Sequence, residues 1–316
     1  MAVSVPATSS RRPWIVIAGP TGSGKSQLAL RLAGALAAEI VNYDSIQVYR
    51  GFDIGSAKPS AADRQLVPHH LLDVVDADED YDASRFARDA RAACHGIIAR
   101  GHRPILAGGT FFYLRALLQG LPPMPARDEA IRGRLRRVAA SPRGAARLHR
   151  WLARVDPPTA VRVAPGDRHR VERALEVWIL GGQPISRSQA PTAGGATEVD
   201  TIRIALTLPR AQLVEALERR VDAMYAEGLV EETGRLLGCF PADARPFTAI
   251  GYREAMQVLR GALAEPAAIA ETKRRTRHYA KRQMTWLRSE QNMHWVDASS
   301  PEAAFGAALR VIEGQD

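Results

Sequence analysis

The chain has 316 residues, enough for one large domain or a core carrying an insertion, and its 46% apolar composition supports a buried core. A formal charge of +9 reads either as an acidic partner or as an arginine-rich solvated surface. The two cysteines, Cys94 and Cys239, are far apart and lack metal-ligand spacing, which argues against a disulfide scaffold or zinc module and fits a reducing cytosol. No stretch reaches membrane-spanning length, so the expectation is a soluble cytoplasmic protein with a short disordered leader over Met1–Pro13.

Trp14–Ala18 reads as a strand, and Gln27–Ala37 as a helix with Leu28, Leu32 and Leu36 on one face. Between them stands Gly19-Pro20-Thr21-Gly22-Ser23-Gly24-Lys25-Ser26, a phosphate-binding loop placed where such a loop works. Its glycines let backbone N–H groups turn toward a polyphosphate, and the helix presents its positive end to the same anion. Lys25 would reach the outer phosphates and Ser26 would ligate Mg²⁺.

The next strand, Glu39–Tyr43, ends at Asp44, a carboxylate on the rim where open α/β sheets bind ligands. Asp44 reads as a chemical group facing the phosphate loop, or as a helix N-cap. His69 and His70 are adjacent on a strand and so point to opposite faces, which favours a structural or substrate-edge role over metal binding. Tyr81–Arg100 is expected to be a helix capped by Asp82 or Ser84, with Phe86, Ala90, Ala93, Ile97 and Ile98 toward the core. A third strand, Pro104–Ala107, ends in Gly108-Gly109-Thr110 and a helix, Phe111–Gln119. The glycines let a ligand approach the backbone, and Thr110 either sits beside it or caps the helix. No strand so far ends in the Asp-Glu pair of an ATPase metal site, which weakens a hydrolytic motor.

From Leu121 prolines break the chain, and three helices follow, Asp128–Ala139, Arg143–Val155 and Asp167–Leu180, with Pro157-Pro158 as punctuation. The fold class is therefore α/β: a P-loop NTPase-like core with a mostly parallel sheet plus an all-helical insertion domain. The expected organisation is core over 1–120, insertion over 121–200, and return to the core with basic helices over 201–316. Val171, Ala174, Leu175 and Trp178 form the apolar stripe of the last insertion helix, leaving Arg168, Arg170 and Arg173 on its remaining surface. Those arginines fit a phosphodiester footprint as well as an ordinary solvated face. A polar linker, Ser186–Asp200, leads back to a strand at Ile202–Leu208. Ala211–Ala226 follows as an amphipathic helix whose Arg219 and Arg220 could lean toward the phosphate crevice. A long helix within Pro266–Arg288 interleaves lysines and arginines with His278, Tyr279 and Trp286, a pattern suited to phosphates and unpaired bases. The tail Asp297–Asp316 offers no motif.

Taken in order, Gly19–Ser26, Asp44–Tyr49 with Gly51–Pro59, Gly108-Gly109-Thr110, Arg170–Val177, Ala249–Glu254 and Ala280–Arg288 resemble the successive motifs of the tRNA dimethylallyltransferases, also called isopentenyl-diphosphate:tRNA transferases. The match runs to about Val296, and without a C-terminal zinc-finger module the chain resembles the bacterial form.

The resemblance implies transfer of a dimethylallyl group from dimethylallyl diphosphate to N6 of adenosine 37 in tRNAs that read codons beginning with U. It also implies a Mg²⁺ cofactor. The bound polyphosphate would then be the leaving group, held by Gly19 through Ser26 with Lys25, and by Arg220 as a further contact. Asp44 matches the family's general base, and Thr110 would orient acceptor and leaving group. Contacts to the tRNA anticodon stem-loop map onto Asp44, Ser45, Ile46, Gln47, Thr110 and Arg132, and onto His169, Arg170, Val171, Glu172 and Arg173. They continue at Thr248, Gly251, Tyr252 and Arg253, then at Lys281, Arg282, Gln283, Trp286 and Arg288. His169 stands where the family commonly has Gln, and both side chains can hydrogen-bond a base edge. The expected state is a monomer, with the insertion closing over the stem-loop. Competing readings are an adenylate isopentenyltransferase, a P-loop kinase of small molecules, and a non-catalytic RNA-binding protein; the first needs neither the insertion nor the basic helix, the second would share the loop and sheet but show ATP-dependent phosphorylation, and the third leaves Lys25, Ser26 and Asp44 idle.

Overall fold

The computed structural model describes residues 12–188 and 199–315; most of the expected leader and part of the linker lie outside the described residues. Contacts divide the described chain into two units, 12–119 with 199–315, and 120–188. The first unit begins with β1 (Trp14–Ala18), α1 (Lys25–Leu36), β2 (Ala38–Asn42), α2 (Ala61–Leu66), β3 (His69–His70), α3 (Ala83–Ala99), β4 (Arg103–Ala107) and α4 (Phe111–Gln119). The second unit holds α5 (Glu129–Ala140), α6 (Gly144–Val155), α7 (Pro157–Arg162), α8 (Arg168–Gly181) and α9 (Ile185–Ser188). The chain then returns to the first unit with β5 (Thr201–Thr207), α10 (Arg210–Ala226), α11 (Leu229–Leu237), α12 (Tyr252–Leu259), α13 (Glu265–Ser289), β6 (His294–Asp297) and α14 (Pro301–Glu313).

The sheet runs β3-β2-β4-β1-β5-β6, and every pairing among the described strands is parallel. Alternation sorts β1 between two apolar layers. Trp14, Val16 and Ala18 join Val41, Leu106 and Ala205 in a core completed by Phe86, Leu114, Val221 and Leu287. Ile15 and Ile17 join Ile40, Ile105 and Ile204 beneath Leu28 and Leu32 of α1 and Ala308 and Ile312 of α14. Both faces are covered, so the central strands read as unbroken apolar runs. Because β2, β4 and β1 are neighbours, their carboxyl ends and the loops that follow meet along one rim.

Two expectations need correction. In α3 the buried stripe is Phe86, Ala90, Cys94 and Ile97, while Ile98 is 38% exposed and Ala93 only partly buried, because the 3.6-residue period carries the face to Cys94. Pro157 and Pro158 open α7 rather than break the chain, their missing N–H groups being unneeded in a first turn, and the Asp156 carboxylate caps it by accepting from Thr159 N. Beyond these, β6 extends the sheet at its edge, and the motif-free tail after it supplies α14, which covers one face. Among the described residues, no helix is long and apolar enough to cross a membrane.

The second unit has its own core, built around Leu135, Leu148, Leu152, Val171 and Leu175. At its centre Glu176 is fully buried, accepting from Asp128 N at 2.8 Å, Arg132 Nε at 3.0 Å and Arg173 at 2.7 Å. Burial pushes this carboxyl up, but the Arg173 bond, the Asp128 amide and Arg132 together hold it below the usual range.

Candidate active site

The phosphate loop joins β1 to α1 and bends where only glycine is comfortable: Gly22 and Gly24 have φ of 79° and 82°, and a Cβ on Gly22 would lie 2.8 Å from Leu217. The first turn of α1 holds no acidic residue and no side chain caps it, so its N–H groups remain open to an anion. Lys25 folds over the loop, its Nζ donating to Pro20 O at 2.7 Å. Burial, with the Arg220 guanidinium nearby, lowers the Lys25 ammonium to about 7, against the opposing pull of Asp44. Burial likewise lowers Arg220, which Asp44 and Tyr279 counter.

Across the rim, Asp44 follows β2. No helix starts there; its Oδ1 accepts from Ile46 N at 2.9 Å and closes a turn, leaving Oδ2 toward the Gly108–Thr110 loop. Gly109 packs closely here, since a Cβ there would lie 3.4 Å from Asp44 Oδ2 and 3.0 Å from Gln283 Nε2. Thr110 ties the two loops: its Oγ1 accepts from Ser45 N at 3.0 Å and donates to Ser45 Oγ at 3.1 Å.

Together these loops line a cavity of about 370 Å³ in the first unit, with Lys25, Ser26, Asp44, Thr110 and Arg220 all on its wall. Its far side is α13, where Thr272, Thr276, Tyr279 and Gln283 recur at helical spacing as one polar stripe. Ser45, Ile46 and Gln47 line it too; Gln47 Nε2 is spent on Ser56 O and Ala57 O, both at 3.1 Å, so it holds the following loop in place. Thr248 and Arg282 sit at the same cavity, and Arg253, Lys281 and Arg288 are exposed.

Other expected contacts resolve differently. Arg219 points away and pairs with Glu215 at 2.5 Å; Arg220 alone of that pair reaches the cavity. Tyr252 is buried and Val171 is 1% exposed, so neither side chain can meet tRNA from its present position. Trp286 stacks on Phe111 at 4.4 Å as a packing contact. Gln283 is buried, bonded to two loops. In the second unit His169 and Arg170 are exposed and Glu172 partly so, whereas Arg132 and Arg173 are engaged by Glu176. Desolvation and the nearby Arg132 and Arg127 lower His169, favouring the neutral imidazole, which can accept as well as donate. His70 bonds Glu39 at 2.6 Å, a structural role, while His69, whose Nδ1 lies 2.8 Å from Val67 O, also stands on the cavity wall.

Sequence reasoning missed Glu232 of α11. Its buried carboxylate accepts from Ile54 N at 2.9 Å, Asp53 N at 3.3 Å and Tyr252 Oη at 2.6 Å, fixing the loop that walls the cavity beyond Gln47. No local pattern marks it, because the backbone amides it accepts from lie 178 and 179 residues upstream. Glu232→Ala strands these donors, and we expect a stability loss of about 3 kcal/mol, read as a lower midpoint of urea unfolding at unchanged slope.

The sequence model of the family described as IPP transferase matches residues 47–290, and that described as Isopentenyl transferase matches 14–76. The chain is 49% identical over 295 residues to tRNA dimethylallyltransferase 1 of Trichlorobacter lovleyi, covering 93% of this chain and 96% of the relative. It is 44% identical to the tRNA dimethylallyltransferase of Geobacter sulfurreducens, covering 91% and 93%. Among solved structures it resembles the full-length tRNA isopentenylpyrophosphate transferase of Bacillus halodurans at 34% identity and a TM-score of 0.69, covering 96% and 98% of the two chains. It also resembles a eukaryotic dimethylallyltransferase acting on tRNA, at 29% identity and a TM-score of 0.75, covering 92% of this chain and 74% of that one.

Proposed function

This chain belongs to the IPP transferase family, and from that premise we propose how its cavity performs prenyl transfer. The enzyme transfers a dimethylallyl group to tRNA. The donor is dimethylallyl diphosphate and the acceptor is N6 of adenosine 37 in tRNAs reading codons that begin with U. The protein acts as a monomer in the cytoplasm. The observation that carries this reading is that one cavity joins an anion cradle, made of the loop amides, Lys25 and Arg220, to a carboxylate and hydroxyl pair, Asp44 and Thr110.

Cleavage of the allylic C–O bond leaves negative charge on diphosphate. The loop N–H groups, Lys25 and Arg220 stabilise that charge as it develops, from positions already set in the free protein. The adenine amine is a weak nucleophile, its lone pair being delocalised into the ring. As its C–N bond to the allyl carbon forms, the N6 proton becomes acidic and passes to Asp44 Oδ2, while Thr110 orients the amine. Diphosphate leaves with the electrons of the C–O bond, so charge balances. Ser26, an exposed hydroxyl on the cavity wall, suits a hard cation; among the described residues no group of three or more His, Cys, Asp or Glu forms a metal cage. Ser26 with the substrate's own oxygens would therefore hold Mg²⁺, which when bound supplies further neutralisation of the leaving group. The target base sits in a stacked loop and must be extruded, at a cost of a few kcal/mol.

The test is transfer of label from dimethylallyl diphosphate with Mg²⁺ to unmodified tRNA carrying A36-A37-A38, with AMP and an A37→G tRNA in parallel. Label on the first acceptor alone is expected. Label on AMP would move the activity to free nucleotides, and label on none would refute the reading. Exposed cations at Arg168, Arg170, Arg253, Lys281, Arg282 and Arg288 support binding through phosphates. About five such contacts give a slope near −4 for log affinity against log salt, measurable by filter binding between 50 and 300 mM; a flat response would remove phosphates from the interface.

A further inference from the structure

We propose that Gln283 is a positioning residue that sets the register between the leaving-group cradle and the acceptor side of the cavity. The inference rests on the transfer reading above. Gln283 is 3% exposed, within a helix whose outer face carries Lys281, Arg282 and Arg288. Its Oε1 accepts from Thr21 N at 2.7 Å, and its Nε2 donates to Gly109 O at 2.9 Å. One amide group therefore spans the phosphate loop after β1 and the Gly108–Thr110 loop after β4.

Those two loops carry opposite halves of the reaction. Thr21 lies four residues before Lys25 in the cradle. Gly109 lies against Asp44, and its neighbour Thr110 holds Ser45. Strand pairing fixes β1 and β4 beside each other, but each loop extends past the last paired residues and needs its own tie. A bidentate amide suits this task, because its acceptor and donor lie at opposite ends of a rigid plane and cannot be exchanged without losing both bonds. Tyr279 Oη adds a second donor to Gly109 O at 2.9 Å, one turn earlier on the same helix. A Cβ on Gly109 would stand 3.0 Å from Gln283 Nε2, so a side chain there would push on this amide. Displacing one loop by about 1 Å would separate the allyl carbon from the amine it must meet, and misplacement of that size costs on the order of 100-fold in rate.

The experiment compares wild type, Gln283→Leu, Asp44→Asn and the double variant, in single-turnover transfer to tRNA and in binding of tRNA and of a non-reacting thiolodiphosphate analogue. Transfer by the wild-type enzyme establishes the reaction itself, so failure there is distinct from failure of this proposal. Gln283→Leu is expected to lower the transfer rate at least 30-fold while both affinities stay within about threefold. In the Asp44→Asn background the same change should lower the residual rate further, because the separation of the allyl carbon from the amine does not depend on the base. Thermal unfolding of each variant separates these effects from loss of fold, since all rates are read well below the midpoint. A rate within threefold of wild type, a loss confined to tRNA affinity, or no further loss in the double variant would each overturn the role. Should Gln283→Leu fail to fold, Gln283→Met, with the same reach and no hydrogen-bonding group, is read by the same criteria.

Discussion

Asp44→Asn should lower the rate of prenyl transfer by about 10³-fold while changing tRNA affinity no more than a few-fold. The substitution is chosen to isolate the chemistry. Asn keeps an oxygen for Ile46 N, so the turn after β2 survives, and it keeps the volume that Gly109 accommodates. What it loses is the ability to take the N6 proton, along with the negative charge that draws Lys25 and Arg220 toward their ionised forms. General-base catalysis contributes roughly 10²–10⁴, so a drop of that size belongs to proton transfer. Rates and binding are measured separately, by single-turnover labelling and by filter binding. Equal losses in both would make Asp44 a binding group and leave the reaction without its base.

How much of this site was legible beforehand depends on the reach of each interaction. The phosphate loop, Asp44 and Gly108-Gly109-Thr110 were legible because each is a short segment at the carboxyl end of a buried strand, and a parallel sheet brings such ends to one rim whatever the strand order. Arg220 was half legible: its neighbour Arg219 has the same chemistry, and only the rotation of α10 decides that one lines the cavity while the other pairs with Glu215. Glu232 and the bidentate use of Gln283 were invisible, since their partners lie 178 and 262 residues away and leave no periodic trace. Tyr252 and Val171 show the converse error. A motif places a segment at a functional surface, but on a helix alternate faces turn inward, and both of these side chains belong to the core. The edge strand β6, four residues long and largely exposed, fell below any pattern a strand can announce, whereas the strand carrying His69 and His70 was legible.

Lys25→Met should cut kcat/KM for dimethylallyl diphosphate by about 10³-fold and also erase a pH dependence of donor binding that the wild-type protein shows. Removing one preorganised donor from a developing oxyanion typically costs 10²–10³, and Lys25 is the loop's single cation. In the free protein, burial and Arg220 lower Lys25 to about 7. A bound diphosphate favours the ammonium and raises that value. Below pH 7 the lysine is charged in both states and contributes no slope. Above pH 7 the free form loses its proton while the complex keeps it, so binding must take up a proton and affinity falls about tenfold per pH unit. A thiolodiphosphate analogue, fully ionised above pH 7.5, reports this without turnover, and calorimetry in buffers of different ionisation enthalpy counts the proton directly. Wild type should take up close to one proton at pH 8.5 and Lys25→Met none. A variant that still showed the slope would assign the proton to another group and would remove Lys25 from contact with the leaving group.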